Sequence, residues 1–453
     1  MRIMGIATAD PPAAPPSARQ PELPPGPDWS LPRTTMRWWK EPLGTLEQCQ
    51  ARYGDMFTLR LPHEGTWVFV SDPEAIKQVF TGDPRLLHAG AANIVLLPLL
   101  GEHSVLLLDE PEHMVQRKLM LPPFHGKRMQ AYREVMAEAA ADQIESWPAD
   151  VPVRMRPRMQ AVTLEVILRA VFGVREGERF TRLRRELRSI LDLPAKQWRA
   201  FFMVLLGPER LRRFPPFRHK VDRVDEVLFE EIRARRAAPD LAERDDILSL
   251  LLQATHEDGR PMSDRELRDE LMTLLVAGHE TTATALSWAI ELLARHPEAL
   301  ERLEADVAGG DGAYLDAVIK EPLRLRPVIA LVLRKLMEPM EIGGRLLPAG
   351  VSVAPSIYLV HRNPEVYPEP ERFRPERFLE QPAGTYTWIP FGGGVRRCLG
   401  GAFAEFEMSV VLRELVARRS LRPAGGPPEH SVRSTITNVP SRGAEVIAAS
   451  RPA

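Results

Sequence analysis

The run from Ser263 to His296 constrains the fold of this chain more than any other stretch. Ser263-Asp264-Arg265-Glu266 reads as a capping box, with the serine side chain accepting from the third amide and the glutamate reaching back. Pro297 ends the pattern. At 1.5 Å per residue such a helix is ~50 Å long, enough to cross a protein of 453 residues. Its middle, Met272 to Ser287, is nearly all apolar or small, so the centre is expected to be buried on all sides. A helix of that kind needs others wrapped round it, and the chain supplies them. Past Trp39 a short helix precedes two strands, Met56–Leu61 and Thr66–Val70, separated by a turn signal at Pro62-His63-Glu64-Gly65. From about Ser71 to His296 the pattern is mostly helical, with amphipathic stretches at Lys127–Glu145 and Val221–Arg236. After Leu336 come short strands and proline-rich loops. The expected fold class is mainly α with small β-sheets.

Hydrophobic content of 44% and charged content of 27% describe an ordinary globular chain, and a net charge of -1 gives nucleic acid no reason to bind. Two cysteines, with Cys49 lacking a plausible disulfide partner, point to a reducing cytoplasm. No run approaches the ~18 to 20 apolar residues that cross a bilayer, and Met1–Ala9 has no signal-peptide core, so no membrane anchor is expected. Pro11 to Pro32 is dense in proline and reads as an extended arm against the body. The expected organisation is therefore an arm over 1–31 and one domain over 32–453.

Two segments carry chemistry. In the middle of the long helix stands Ala277-Gly278-His279-Glu280-Thr281-Thr282, where a glycine and two threonines weaken the helix interior. Glu280 in an apolar span is costly unless paired or needed, and the Thr281 hydroxyl can bond back to the Ala277 carbonyl and open a notch. The second segment is Phe391-Gly392-Gly393-Gly394-Val395-Arg396-Arg397-Cys398-Leu399-Gly400. A buried cysteine is ordinarily a small inert hydrophobe, yet inert burial has no use for three glycines and two arginines. Gly394 and Gly400 let the backbone turn sharply and approach a flat ligand, and Arg396 and Arg397 are expected to lower the thiol pKa.

The cysteine segment resembles the haem-binding signature Phe-x-x-Gly-x-Arg-x-Cys-x-Gly of the cytochrome P-450 superfamily at every fixed position. Ala277–Thr282 resembles that family's oxygen-activation motif, in which the threonine and its acidic neighbour relay protons. Glu321-Pro322-Leu323-Arg324 resembles its Glu-x-x-Arg helix, and Pro375-Glu376-Arg377-Phe378 the segment whose arginine completes a buried Glu321–Arg324–Arg377 cluster of structural role. The resemblance runs from about Pro32 to the C-terminus. It implies a triangular helical prism around one haem b, with Cys398 on the iron and Glu280 and Thr281 catalytic. Cofactor contacts would come from His113, Arg117, Ala277, Gly278, Arg334, Phe391, Gly392, Arg396 and Gly400, the cations among them facing the propionates. Ile94, Leu96, Leu97, Val276, Ile329, Leu331 and Ile436 would line a pocket without charge, which suits a lipophilic substrate held by area burial.

Two departures from the pattern concern packing alone: Pro322 inside its helix, and the short connection Ala308–Gly312. Three readings follow from the resemblance. The first is a monomeric monooxygenase that uses O2 and takes electrons from a ferredoxin or flavodoxin with its NAD(P)H reductase, since no cysteine cluster or flavin region is present. The second is a peroxide-driven peroxygenase, against which the Glu280-Thr281 pair argues. The third is a non-catalytic haem-thiolate sensor. For the first, Arg117, Lys118, Lys127, Arg128 and Arg397 are expected to form the basic face that meets an acidic electron carrier.

Overall fold

The structure is a computed structural model that describes residues 20–61, 65–124, 126–173, 177–191 and 206–450. The elements that place the site are β1 (Met56–Leu61), β2 (Gly65–Val70), α1 (Glu112–Met120), α2 (Lys127–Glu145), α3 (Met155–Phe172), α4 (Asp264–Arg295), α5 (Ala313–Leu325), β3 (Arg334–Leu336), β4 (Ser352–Pro355), α6 (Gly401–Arg418), β5 (Ser431–Ser434), β6 (Thr437–Pro440) and β7 (Glu445–Ser450). Pro62–Glu64 of the expected turn, and the first 19 residues of the proline-rich arm, lie outside the described residues. The rest of the arm runs along β1: Thr58 donates its amide to Pro25 O and its hydroxyl to Pro24 O.

α4 is the axis. It spans 32 residues from the N-cap Ser263, and both hydrogen bonds of the capping box are present. α3 packs along its middle, and α6, α5 and the segment Leu97–Leu100 pack on its other sides. These helices share one core, with Met159, Ile167, Leu271, Leu286, Val411 and Leu415 all buried in it. Pro322 is accommodated inside α5, which continues through it to Leu325. Only Gly310–Gly312 separate the helix Pro297–Gly309 from α5.

A five-stranded sheet closes one end in the order β1-β2-β4-β3 and then Leu87–His88. β1 and β2 form an antiparallel hairpin with Met56 opposite Val70, whereas β2 and β4 run parallel with Trp67 opposite Ser352. The alternation in β1 and β2 gives the sheet two apolar faces. One carries Phe57, Leu59 and Phe69 with Trp38, and the other Val68 and Val70 with Ile76 and Phe80. At the far end β7 pairs with Pro152–Arg154 just before α3, which ties the start of α3 to the β5–β6 hairpin region.

Candidate active site

The burial of α4 fails at one place. Its residues from Glu266 to Leu275 are buried, and so is everything from Thr282 to Ala294, but Ala277 is exposed and Val276, Gly278, Glu280 and Thr281 are half-open. Ala277 is exposed there, Gly278 sits where a Cβ would press on the Ile167 side chain of α3 at 3.3 Å, and Thr281 Oγ1 donates to Ala277 O at 2.6 Å instead of reaching outward.

Glu280 and Thr281 do not touch each other through their side chains. The Glu280 carboxylate turns to α3, where Arg156 Nη2 donates to Oε1 at 2.5 Å and Gln160 Nε2 to Oε2 at 2.6 Å. Thr284 Oγ1, one turn on, sits at 3.5 Å from Oε1. Arg156 and Gln160 escaped the sequence reading. Their signal was present as two polar residues four apart on one helical face, but nothing in the sequence tied that face to α4. His279 completes the contact, with Thr163 Oγ1 at 2.9 Å from Nδ1 and donating to its carbonyl at 3.0 Å. Burial pulls the His279 pKa down to about 4, against the pull of neighbouring Glu280.

The cysteine loop is shaped by what it leans on. Gly394 sits at φ 66°, where a side chain is strained, and a Cβ there would lie 2.1 Å from Phe80 O; one on Gly393 would lie 2.1 Å from the Phe80 ring. A close approach to the protein backbone thus already excludes a side chain at Gly394. Gly392 is also left-handed, and Phe391 packs edge-on against Trp388 at 6.1 Å. Cys398 N donates to Phe391 O at 2.9 Å, and Gly400 caps α6.

Cys398 presents exposed surface although protein surrounds it closely, which is the geometry of a thiol at the floor of a recess. Burial pushes its pKa up; the Gly400 amide and the cations Arg117 and Arg397 pull the other way. Of the two cations expected to lower the thiol, Arg397 does so and Arg396 does not; burial is the larger effect, and the first cation acting on the sulfur is Arg117 from α1. A thiol of this kind ionises when a cationic partner such as a metal takes the charge.

The cations expected at the propionates gather in one buried region. Arg334 is 6% exposed and its pKa is pulled down to about 10 by burial and by Arg396. Arg396 donates to Leu108 O at 2.6 Å and to Asp109 at 3.2 Å, while its Nε has no partner. Burial also lowers Arg117. His113 is buried with Nδ1 at 2.5 Å from Glu110, and burial followed by Arg396 lowers it. Three desolvated guanidiniums share this region with Asp109 and Glu110, and the cations that remain available suit the carboxylates of a haem b. Asp109 was missed in the sequence. It also accepts the amides of Gly90 and Ala91, so it fixes the segment that leads into Ala91–Leu97.

Glu321, Arg324 and Arg377 come together in full burial. Arg324 donates to both Glu321 oxygens at 2.7 and 2.8 Å, and Arg377 Nε reaches Oε1 at 3.1 Å. The remaining guanidinium donors meet the carbonyls of His361, Pro370 and Arg372. His361, also missed, accepts the Ile389 amide at 2.9 Å and so ties this cluster to the start of the cysteine loop.

The expected pocket residues divide. Leu96 and Val276 pack against the helical core, Ile329 against the Val68 face of the sheet and Leu331 against its Trp38 face. Leu97 opens the short helix that packs on α4. Ile94 and Ile436 stand 48% and 52% exposed, so neither is packed as core. The basic face divides as well. Arg128 and Arg397 are exposed and Arg117 is half-buried, while Lys118 pairs with Glu257 at 3.2 Å. The Lys127 side chain lies outside the described residues.

The family profile of cytochrome P450 matches residues 24–446. The chain belongs to the cytochrome P-450 family. A relative named cytochrome P-450 135B1, from Mycobacterium bovis, is 45% identical over 432 residues, covering 94% of this chain and 91% of the relative. Cytochrome P-450 135A1 of Mycobacterium tuberculosis is 41% identical over 439 residues, covering 94% of each chain. Among solved structures, cyanobacterial CYP120A1 with retinoic acid bound superposes with a TM-score of 0.82 at 25% identity, covering 95% of this chain and 100% of that one. The haem domain of cytochrome P-450DA gives 0.83 at 23% identity, covering 96% and 99%. This P-450 is accordingly a haem-thiolate monooxygenase with haem b as cofactor, and among the described residues no helix is long and apolar enough to cross a membrane.

Proposed function

We propose that this P-450 inserts one oxygen atom of O2 into a lipophilic molecule of fatty-acid, terpenoid or steroid-like size, with electrons from a separate ferredoxin or flavodoxin. Haem b held by a thiolate supplies the oxygen chemistry that attacks C–H bonds. The observation that carries the reading is the gathering of Arg117, Arg334 and Arg396, desolvated and with Arg396 Nε unpartnered, beside the Cys398 thiol, an arrangement suited to an anionic macrocycle. Cys398 is the ligand. Arg117, Arg334 and Arg396 neutralise the cofactor's carboxylates, and His113 braces α1 against Glu110.

Thr281 keeps a hydroxyl proton at the Ala277 carbonyl, from which it can be handed on within the notch. Glu280 holds the outer end of the path, set by Arg156 and Gln160 at the edge of α3. Leu96, Leu97 and Val276, together beside α4, exclude water and bind by apolar area. The retinoic acid bound to CYP120A1 is of this lipophilic class and supports it. Glu321, Arg324 and Arg377 act on the frame only.

The reduced protein with carbon monoxide is expected to show the red-shifted Soret band of a thiolate ligand, and Cys398→Ser to lose it. A variant that keeps that band removes Cys398 from the iron. Spectral titration with fatty acids, terpenes and steroids then tests the substrate class, which fails if only charged or strongly polar compounds displace the resting spectrum.

A further inference from the structure

The helix Leu31–Lys40 is amphipathic, yet it buries only part of its apolar side. Thr34 and Trp38 are its buried residues, and Trp38 seats it on the sheet, edge-on to Trp67 at 5.8 Å and against Phe69 at 5.6 Å. Going round the helix from that stripe, Leu31, Trp39 and Met36 come next, followed by Lys40, Arg33 and Arg37. Leu31 stands 48% and Met36 46% exposed, and Trp39 is half-buried. The helix contains no acidic residue; Asp28 and Glu41 lie beyond its two ends. Among the described residues no carboxylate pairs with Arg33, Arg37 or Lys40. Their contacts are neutral instead: Arg33 and Arg37 lie over the Trp29 ring at 5.9 and 4.8 Å, and Arg37 Nη2 donates to Gln48 Oε1 at 2.7 Å. The tip of the β5–β6 hairpin adjoins this helix. Arg433 lies over the rings of Trp38 and Trp39 at 5.6 and 5.3 Å and donates to Trp38 O and Thr435 O, and Ile436 beside it is half-exposed.

We propose that this face docks on the anionic surface of a lipid bilayer, with the helix Leu31–Lys40 lying in the headgroup plane. Crossing a bilayer takes ~20 apolar residues, whereas lying on one takes only an apolar side next to a cationic side. This helix has both, side by side and turned outward. Leu31, Met36 and Ile436 enter the acyl boundary and leave water, which favours binding by apolar area. Arg33 and Lys40, on the adjoining side, meet the lipid phosphates. Trp29 and Trp39 join an apolar ring to an N–H donor, the combination that suits the boundary between the two layers. The helix stands on the sheet as a ridge, so a fluid surface can close around it where a rigid partner would touch only its crest. The surface does not depend on which lipophile is oxidised at the haem.

The test is co-sedimentation of the haem-loaded full chain with vesicles of phosphatidylglycerol and phosphatidylcholine in equal parts, against vesicles of phosphatidylcholine alone. Partition onto the anionic vesicles is expected, falling as salt rises, with little onto the neutral ones. Arg33→Glu/Lys40→Glu should lower that partition at least about tenfold, since each cation near a charged surface contributes a several-fold factor. Leu31→Ser/Met36→Ser should remove the part of the binding that survives high salt. The carbon monoxide spectrum is expected to stay unchanged in both variants, which shows that the fold and the haem are intact. No partition onto anionic vesicles, or wild-type partition in both variants, overturns the surface. Sedimentation velocity without lipid supplies the remaining outcome: a dimer that either variant converts to a monomer would give this face to a second copy of the chain and overturn the lipid assignment.

Discussion

Glu321 and Glu280 are both carboxylates held by arginine, and they sit in opposite surroundings. Glu321 and Arg324 are fully buried, with both carboxylate oxygens and the guanidinium donors satisfied by Arg377, three carbonyls and the Arg374 amide. Glu280 and Arg156 keep about a quarter of their side-chain surface, at 22% and 26%, and Arg156 retains an unpartnered nitrogen. A closed pair has no spare valence, so it can only hold geometry. An open pair can exchange partners and protons with water. The same chemistry is thus used once as a joint and once as a port.

Removing one member of the closed pair should break the molecule. Arg324→Ala leaves Glu321 charged in the core and is expected to cost about 3–5 kcal/mol, with haem lost on heating well below the wild-type midpoint. A thermal scan followed at the Soret band measures this, and an unshifted midpoint would mean the cluster carries little. Beside the open pair, His279 gives the next effect. The folded protein keeps it neutral down to about 4, whereas an unfolded chain protonates it near the ordinary 6.5. Its depressed pKa therefore supports stability fully above pH 6.5, and that support drains as pH falls toward 4. The loss is about 3 kcal/mol for so buried a group. His279→Gln should flatten the fall in urea midpoint over that window, and a slope equal to wild type would assign the acid sensitivity elsewhere.

Substitutions in the open region itself should scarcely move stability. Arg156→Gln is expected to cost under about 1 kcal/mol, since the pair is part-solvated, yet to slow proton supply and raise peroxide at the expense of product. Thr281→Ala should do the same, with hydroxyl loss alone; tight coupling in both would place the relay away from this motif. Smallest for stability, and confined to electron transfer, is Lys118→Glu with Arg128→Glu. It should slow reduction by an acidic partner several-fold in low salt and less so in high salt. Equal rates across salt would move the docking face.

Local patterns in the sequence carried the frame further than they carried the site. The α4 boundaries follow from Ser263, Glu266 and Pro297, because capping is settled within one turn of chain. Periodicity likewise placed β1 and α2, while the helix around Pro322 was read from the family resemblance. What stayed hidden depends on partners far along the chain. Arg156 lies 124 residues before Glu280, and nothing local says that the acid faces α3. His361 and Asp109 act through backbone carbonyls and amides, which leave no trace in side-chain composition.

The lean of the cysteine loop on Phe80 bears on portability. The ten residues from Phe391 to Gly400 can be copied into another protein as text, but their conformation is borrowed from a helix, Pro73–Thr81, at the other end of the chain. Transplanted without that neighbour, the glycines would supply freedom where a shape is needed. A designer who wants this ligand loop has to carry the Phe80 wall along with it.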